Sequence, residues 1–106
     1  MEGVFSAIMT VVNPGDEVIC FSPTFMFHFK IVYMAEATPV FVNLVEDEGW
    51  SLDIEAVKKA ITNKTKAIII TTPSNPTGCN FKEKNLRELG KLVLKHNLVL
   101  ITDDPY

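Results

Sequence analysis

Ala67-Ile68-Ile69-Ile70-Thr71 is the segment that most narrows what this chain can fold into. Four consecutive apolar positions rich in β-branching, with no polar alternation, describe a strand covered on both faces. Three further segments share its β-branched character: Val18-Ile19-Cys20-Phe21, Val40-Phe41-Val42-Asn43-Leu44 and Leu98-Val99-Leu100-Ile101-Thr102. Two of the four are nearly continuous apolar runs, so a parallel sheet with helices on both sides is expected.

The segments between them carry helical spacing. Val4, Phe5, Ile8, Met9 and Val12 recur at intervals of three and four, and Asn13-Pro14-Gly15-Asp16 ends that stretch. Phe25 to Glu36 reads as a helix with a heavy aromatic load. Asp53 is a suitable N-cap for Ile54 to Ile61, whose Ile54, Val57 and Ile61 share one face. Lys82 to His96 is the clearest helix, with Leu86, Leu89 and Val93 on one face and Asn97 just past its end. Strand and helix alternate, so βαβ units with right-handed crossovers and parallel strands follow. The expected class is α/β, a mostly parallel sheet in a three-layer α/β/α arrangement. Glu46-Asp47-Glu48-Gly49 reads as a solvated turn.

Charge and composition remove several function classes. Of the 106 residues 47% are hydrophobic and 22% charged, an ordinary globular balance with room for one domain. The net charge of −3, without a basic cluster, speaks against nucleic-acid binding. No apolar run reaches the ~18 residues of a membrane span, and the first residues lack a basic export signal. Cys20 and Cys79 have neither CxxC spacing nor the density of a disulfide scaffold, which points to a reducing, cytoplasmic setting. Metal-ligand spacing is absent, so His28 and both cysteines read as packing or surface residues.

In open α/β sheets ligands bind beyond the carboxyl ends of the strands. There the chain carries Ser22-Pro23-Thr24-Phe25, then Thr72-Pro73-Ser74-Asn75-Pro76-Thr77-Gly78, then Asp103-Asp104-Pro105-Tyr106. An aromatic face, an amide, a carboxylate and a phenol suit a flat ring with a protonated nitrogen and an oxygen. Neither GxGxxG nor GxxxxGK[ST] occurs.

Five blocks, taken in order, carry a family resemblance: Asn13-Pro14-Gly15-Asp16-Glu17-Val18, Pro23-Thr24-Phe25, Lys64-Thr65-Lys66-Ala67-Ile68, Ser74-Asn75-Pro76-Thr77-Gly78 and Asp103-Asp104-Pro105-Tyr106. With them the chain resembles, over essentially its whole length, the large domain of class I/II aminotransferases, fold-type I pyridoxal-phosphate enzymes. The resemblance implies that Asn75 and Tyr106 bind the cofactor's phenolic oxygen and that Asp103 pairs with its pyridine nitrogen. It puts Phe25 where the family has a Tyr or Trp against the ring face. It further implies amino-group transfer between an amino acid and a 2-oxo acid, and a homodimeric parent enzyme. The Asn75-Pro76 peptide would be cis, as it often is in this family.

Four departures stand against that expectation. The family's small-residue phosphate loop would lie largely before Met1, and its Schiff-base lysine, in a Ser/Thr-x-x-Lys block, some tens of residues past Tyr106. The sole arginine, Arg87, lies mid-helix and does not match the family's substrate-carboxylate arginine. Asp104 stands where the family usually has Glu. Residues 1–106 are therefore expected to be part of a large domain, without the small domain or the lysine-bearing segment. Two alternatives stand beside this reading: a non-catalytic remnant or interaction fragment, or a piece of another fold-type I enzyme such as a C–S lyase or synthase. The cofactor blocks hold pyridoxal phosphate without choosing among its reactions.

Overall fold

The computed structural model describes residues 2–22, 26–43, 52–71 and 83–103. Four helices and four strands alternate along them: α1 (Glu2–Val11), β1 (Glu17–Ser22), α2 (Met26–Met34), β2 (Thr38–Asn43), α3 (Ile54–Ala60), β3 (Thr65–Thr71), α4 (Glu83–Lys95) and β4 (Val99–Asp103). The strands form one sheet in the order β2-β1-β3-β4, and every neighbouring pair is parallel.

Strand alternation divides the core into two layers. Val18 and Cys20 of β1, Ala67 and Ile69 of β3 and Ile101 of β4 pack with Ile8 and Val12 and with Ile31, Val32 and Ala35 of α2. Ile19, Phe21, Ile68 and Ile70, together with Val42, pack instead with Ile54 and Val57 of α3 and Leu89 and Leu92 of α4. Helices α1 and α2 thus cover one face and α3 and α4 the other, the expected three-layer arrangement. The step from β1 to β2 runs one way across the sheet through α2. Those from β2 to β3 and from β3 to β4 run the other way through α3 and α4. Opposite directions with helices on opposite faces give all three crossovers the same hand.

The two apolar runs buried on both faces are the adjacent strands β1 and β3. Val18, Ile19 and Cys20, like Ala67 and Ile68, have no exposed surface. In β4 the equally apolar Leu98-Val99-Leu100-Ile101 run belongs to a terminal strand of the described sheet, and Leu100 is 37% exposed. β2, the terminal strand at the other side, is only partly covered, with Pro39 and Val42 buried and Thr38, Phe41 and Asn43 exposed.

Local chemistry sets the element ends. Asp53 caps α3 by accepting the Ala56 N–H at 3.1 Å. After α4 the Asn97 N–H reaches the Leu94 carbonyl at 3.3 Å and the Leu98 N–H reaches that of Val93 at 2.9 Å. Asn97 itself has φ 54°, the left-handed residue of a Schellman close. α2 ends the same way, two residues before the expected Glu36. Glu36 has φ 61°, with Glu36 N–H to Tyr33 at 2.9 Å and Ala37 N–H to Val32 at 3.1 Å.

The Asn13–Asp16 turn ties three elements together at the amino edge of the sheet. Asp16 N–H donates to the Asn13 carbonyl at 3.0 Å, and the Asp16 carboxylate accepts the Asn13 N–H at 2.9 Å. Gly15 N–H donates to the Glu36 carbonyl at 3.1 Å, and Thr38 N–H to the Asp16 carbonyl at 2.9 Å. Pro14 precedes Gly15, whose φ of 89° is the type II turn position where a side chain is disfavoured. A Cβ at Gly15 would meet nothing within 4 Å, so Gly15→Ala isolates the conformational cost. It is expected to lower stability by about 1 kcal/mol, read as a lower urea midpoint with an unchanged slope.

Candidate functional site

Parallel strands present all their carboxyl ends at one edge, which here ends at Ser22, Asn43, Thr71 and Asp103. β1 and β3 are neighbours, yet the chain leaves β1 toward α2 on one face and β3 toward α4 on the other. Two adjacent strand ends that diverge in this way open the crevice in which doubly wound sheets bind ligands. No position in the sequence announces that crevice, because it is a property of strand order.

Asp103 is the expected site residue that lies on a described element. It closes β4 in register with Thr71, the last residue of β3. Ladder pairing on Thr71 gives its backbone a fixed place beside the start of positions 72–82. Phe25, Asn75 and Tyr106 lie outside the described residues, as do Cys79, Asp104 and the acidic turn at 46–49. Topology nonetheless bounds their segments. Positions 23–25 follow the end of β1, 72–82 run from the end of β3 to the start of α4, and 104–106 follow Asp103. His28 is carried on α2.

The other two motif blocks lie at the opposite edge and touch each other. Glu17 N–H donates to the Lys64 carbonyl at 2.8 Å, and the Thr62 hydroxyl donates to the Glu17 carboxylate at 2.7 Å. Thr62 N–H donates to the hydroxyl of the buried Thr65 at 2.8 Å, and Lys64 N–H to the Thr62 hydroxyl at 3.1 Å. Asn13–Val18 and Lys64–Ile68 are therefore scaffold, locking β1 to β3 far from the carboxyl ends. The carboxyl-end rule already sets the other three blocks apart in the sequence; that these two bond to each other is decided by the fold.

Elsewhere the described surface offers little chemistry. The groove between α3 and α4, about 340 Å³, is lined by Ile54, Glu55, Lys58, Glu88, Lys91, Leu92 and Lys95. The exposed Lys58–Glu55 pair at 3.2 Å contributes a few tenths of a kcal/mol, roughly. Among the described residues no three His, Cys, Asp or Glu gather as for a metal ion, and no helix is long and apolar enough to cross a membrane.

Cys20 is a free, fully buried thiol. Burial pushes its pKa from 9.0 up to about 12, so it is packing material rather than a nucleophile. The unfolded thiol ionises first. Between about pH 9 and 12 the folded chain holds the extra proton, and stability falls as pH rises through that window. Below it both states are protonated and the thiol adds no pH dependence. In a Cys79→Ser background, Cys20→Ala is expected to flatten this alkaline decline in urea midpoints, whatever it costs at neutral pH.

Residues 2–106 match the family described as aminotransferase class I and II. A probable kynurenine–oxoglutarate transaminase of Saccharomyces cerevisiae is 39% identical over 115 residues, covering 99% of this chain and 26% of the relative. An aspartate/prephenate aminotransferase of Thermus thermophilus is 34% identical over 99% of this chain and 27% of its own length. The solved aspartate aminotransferase of Thermus thermophilus with maleate superposes with a TM-score of 0.96 at 34% identity, over 99% of this chain and 28% of that one. N-succinyldiaminopimelate aminotransferase of Mycobacterium tuberculosis gives 0.93 at 38%, over 96% and 27%. The chain spans about a quarter of the length of the relatives it matches.

Proposed function

From the premise that this chain belongs to the class I and II aminotransferases, we propose that residues 1–106 are part of the large, cofactor-binding domain of a pyridoxal-phosphate-dependent enzyme. That enzyme moves an amino group from an amino acid to a 2-oxo acid. The observation that carries this reading is the carboxyl edge. A carboxylate-bearing residue sits in ladder register at a strand end there, and the aromatic, amide and phenol segments run from neighbouring strand ends of the same edge. The names of the similar proteins favour amino-group transfer over a lyase or synthase.

The chain's donor set suits the cofactor. A pyridine ring needs a carboxylate held rigidly to keep its nitrogen protonated, and a strand end is more rigid than a loop. Asp103 would accept that N–H in a charge-assisted hydrogen bond. Asn75 and Tyr106 would donate to the phenolic oxygen, and Phe25 would offer a stacking face without a hydroxyl of its own. Bound there, pyridoxal phosphate supplies the electron sink that makes deprotonation at the substrate's Cα feasible. In this scheme Asp103 keeps the pyridine proton in place, while Asn75 and Tyr106 orient the ring. We assign the assembled enzyme to the cytoplasm and to a homodimer, with small amino and oxo acids as its substrates.

The test is a chimera in which residues 1–106 replace the matched quarter of the Thermus thermophilus aspartate/prephenate aminotransferase. Cofactor absorbance on titration and amino-group transfer from glutamate are both expected. A folded chimera that leaves the cofactor's spectrum unchanged would overturn the reading.

A further inference from the structure

On the α1/α2 side of the sheet, strands β3 and β4 change character at the same rung of their ladder. Ala67 pairs with Val99 and Ile69 with Ile101, and all four belong to the core under α1 and α2 or pack against it. Positions two apart in a strand share a face, so the next rung on that face is Thr71 with Asp103. The rungs on the opposite face are Ile68–Leu100 and Ile70–Thr102. Within the two strands, Asp103 therefore has Ile101 behind it on its own face and Thr71 beside it. β4 ends the described sheet, which makes Thr71 the ladder neighbour of Asp103 among the described residues.

That pairing bears on how a carboxylate is held. Ladder hydrogen bonds fix the backbone of Asp103 but leave its side chain two rotatable bonds, and an acidic group that must meet one ring nitrogen works best when a further group orients it. Threonine is suited to the task, having one hydroxyl donor on a Cβ whose branching restricts rotation. Neighbouring strands lie about 4.8 Å apart. A hydroxyl on one Cβ and a carboxylate on the next can close that gap to hydrogen-bond distance. A bond to one carboxylate oxygen leaves the other oxygen available to the ring N–H.

We propose that Thr71 is a positioning residue for Asp103, its hydroxyl donating to the Asp103 carboxylate and so fixing the oxygen that receives the pyridine N–H. The proposal rests on the cofactor reading above and adds to it a residue that acts through Asp103 alone.

A double-mutant cycle in the chimera tests it, read as the dissociation constant of pyridoxal phosphate from absorbance titration of the cofactor-free form. Thr71→Val keeps the branching and the strand preference while removing the hydroxyl, and it should weaken binding about three- to tenfold. Thr71→Ser returns the hydroxyl and should recover most of that loss. In the Asp103→Ala background Thr71→Val should change binding by less than about twofold, because no carboxylate is left to orient. Urea melts verify that each variant folds. Equal losses in the two backgrounds would make Thr71 a merely structural residue and overturn the proposal with the cofactor reading intact. A Thr71→Val chimera that binds like the parent, where Asp103→Ala binds more weakly, would do the same. Should Asp103→Ala itself bind like the parent, the assignment of Asp103 falls and the role of Thr71 falls with it.

Discussion

Asp103→Ala is expected to weaken pyridoxal phosphate binding by about 10- to 100-fold. A hydrogen bond to a charged group contributes roughly 1.5 to 3 kcal/mol, and 1.4 kcal/mol is a factor of ten. The loss should be functional, because Asp103 is the last residue of β4 and its ladder partner is the terminal Thr71. Truncation at a strand end leaves the ladder intact, so the urea midpoint should hardly move. Asp103→Asn refines the assignment. The amide keeps the shape and a hydrogen-bonding group but loses the charge that holds the ring nitrogen protonated. It should retain more binding than alanine and less transfer activity than the parent. Spectrophotometric titration in the chimera checks both variants, and an alanine variant that binds like the parent would remove Asp103 from the site.

Ile68→Ala should have the largest effect on stability. Ile68 has no exposed surface and lies in β3, in register with Ile19 of β1 on one side and Leu100 of β4 on the other. Its layer contains Val57 and Leu89, both fully buried, from the two helices that cover that face. A site enclosed on every side cannot collapse onto a void, which puts the cost at about 2 to 5 kcal/mol. Single domains have only about 5 to 15 kcal/mol in total, so a large part of the stability would go. Leu94→Ala is the contrast: Leu94 is 83% exposed, and truncating it should shift stability by no more than about 0.5 kcal/mol. Urea melts of the two variants check the pair. Equal costs would mean that the α3/α4 layer is not packed as described.

The individual elements were largely legible before any coordinates. Ile54, Val57 and the Asp53 cap declare α3 within a few residues of chain, and Asn97 after Lys95 announces the close of α4. These are short-range effects, set by helical period and by which side chains satisfy terminal N–H and C=O groups. α2 ends at Met34, two residues before the Glu36 that local pattern predicts, for the same reason. Glutamate is a good helix former, and Glu36 gives no local sign that tertiary contacts hold it at φ 61°.

Continuous apolar character determined that the chain makes a parallel, helix-covered sheet, and five ordered blocks determined its family. Which runs are central was left to the tertiary structure. Leu98–Ile101 is as apolar as Ala67–Ile70, but β4 ends the described sheet and β3 sits inside it. Asp103 is expected at a carboxyl end from the strand rule alone, whereas only the folded chain shows Asn13–Val18 and Lys64–Ile68 bonded to each other at the amino edge. Periodicity is a property of neighbouring residues and survives in the linear text. Strand order depends on which helix packs on which face, a choice made between residues tens of positions apart, and it is that choice which puts the switch point between β1 and β3.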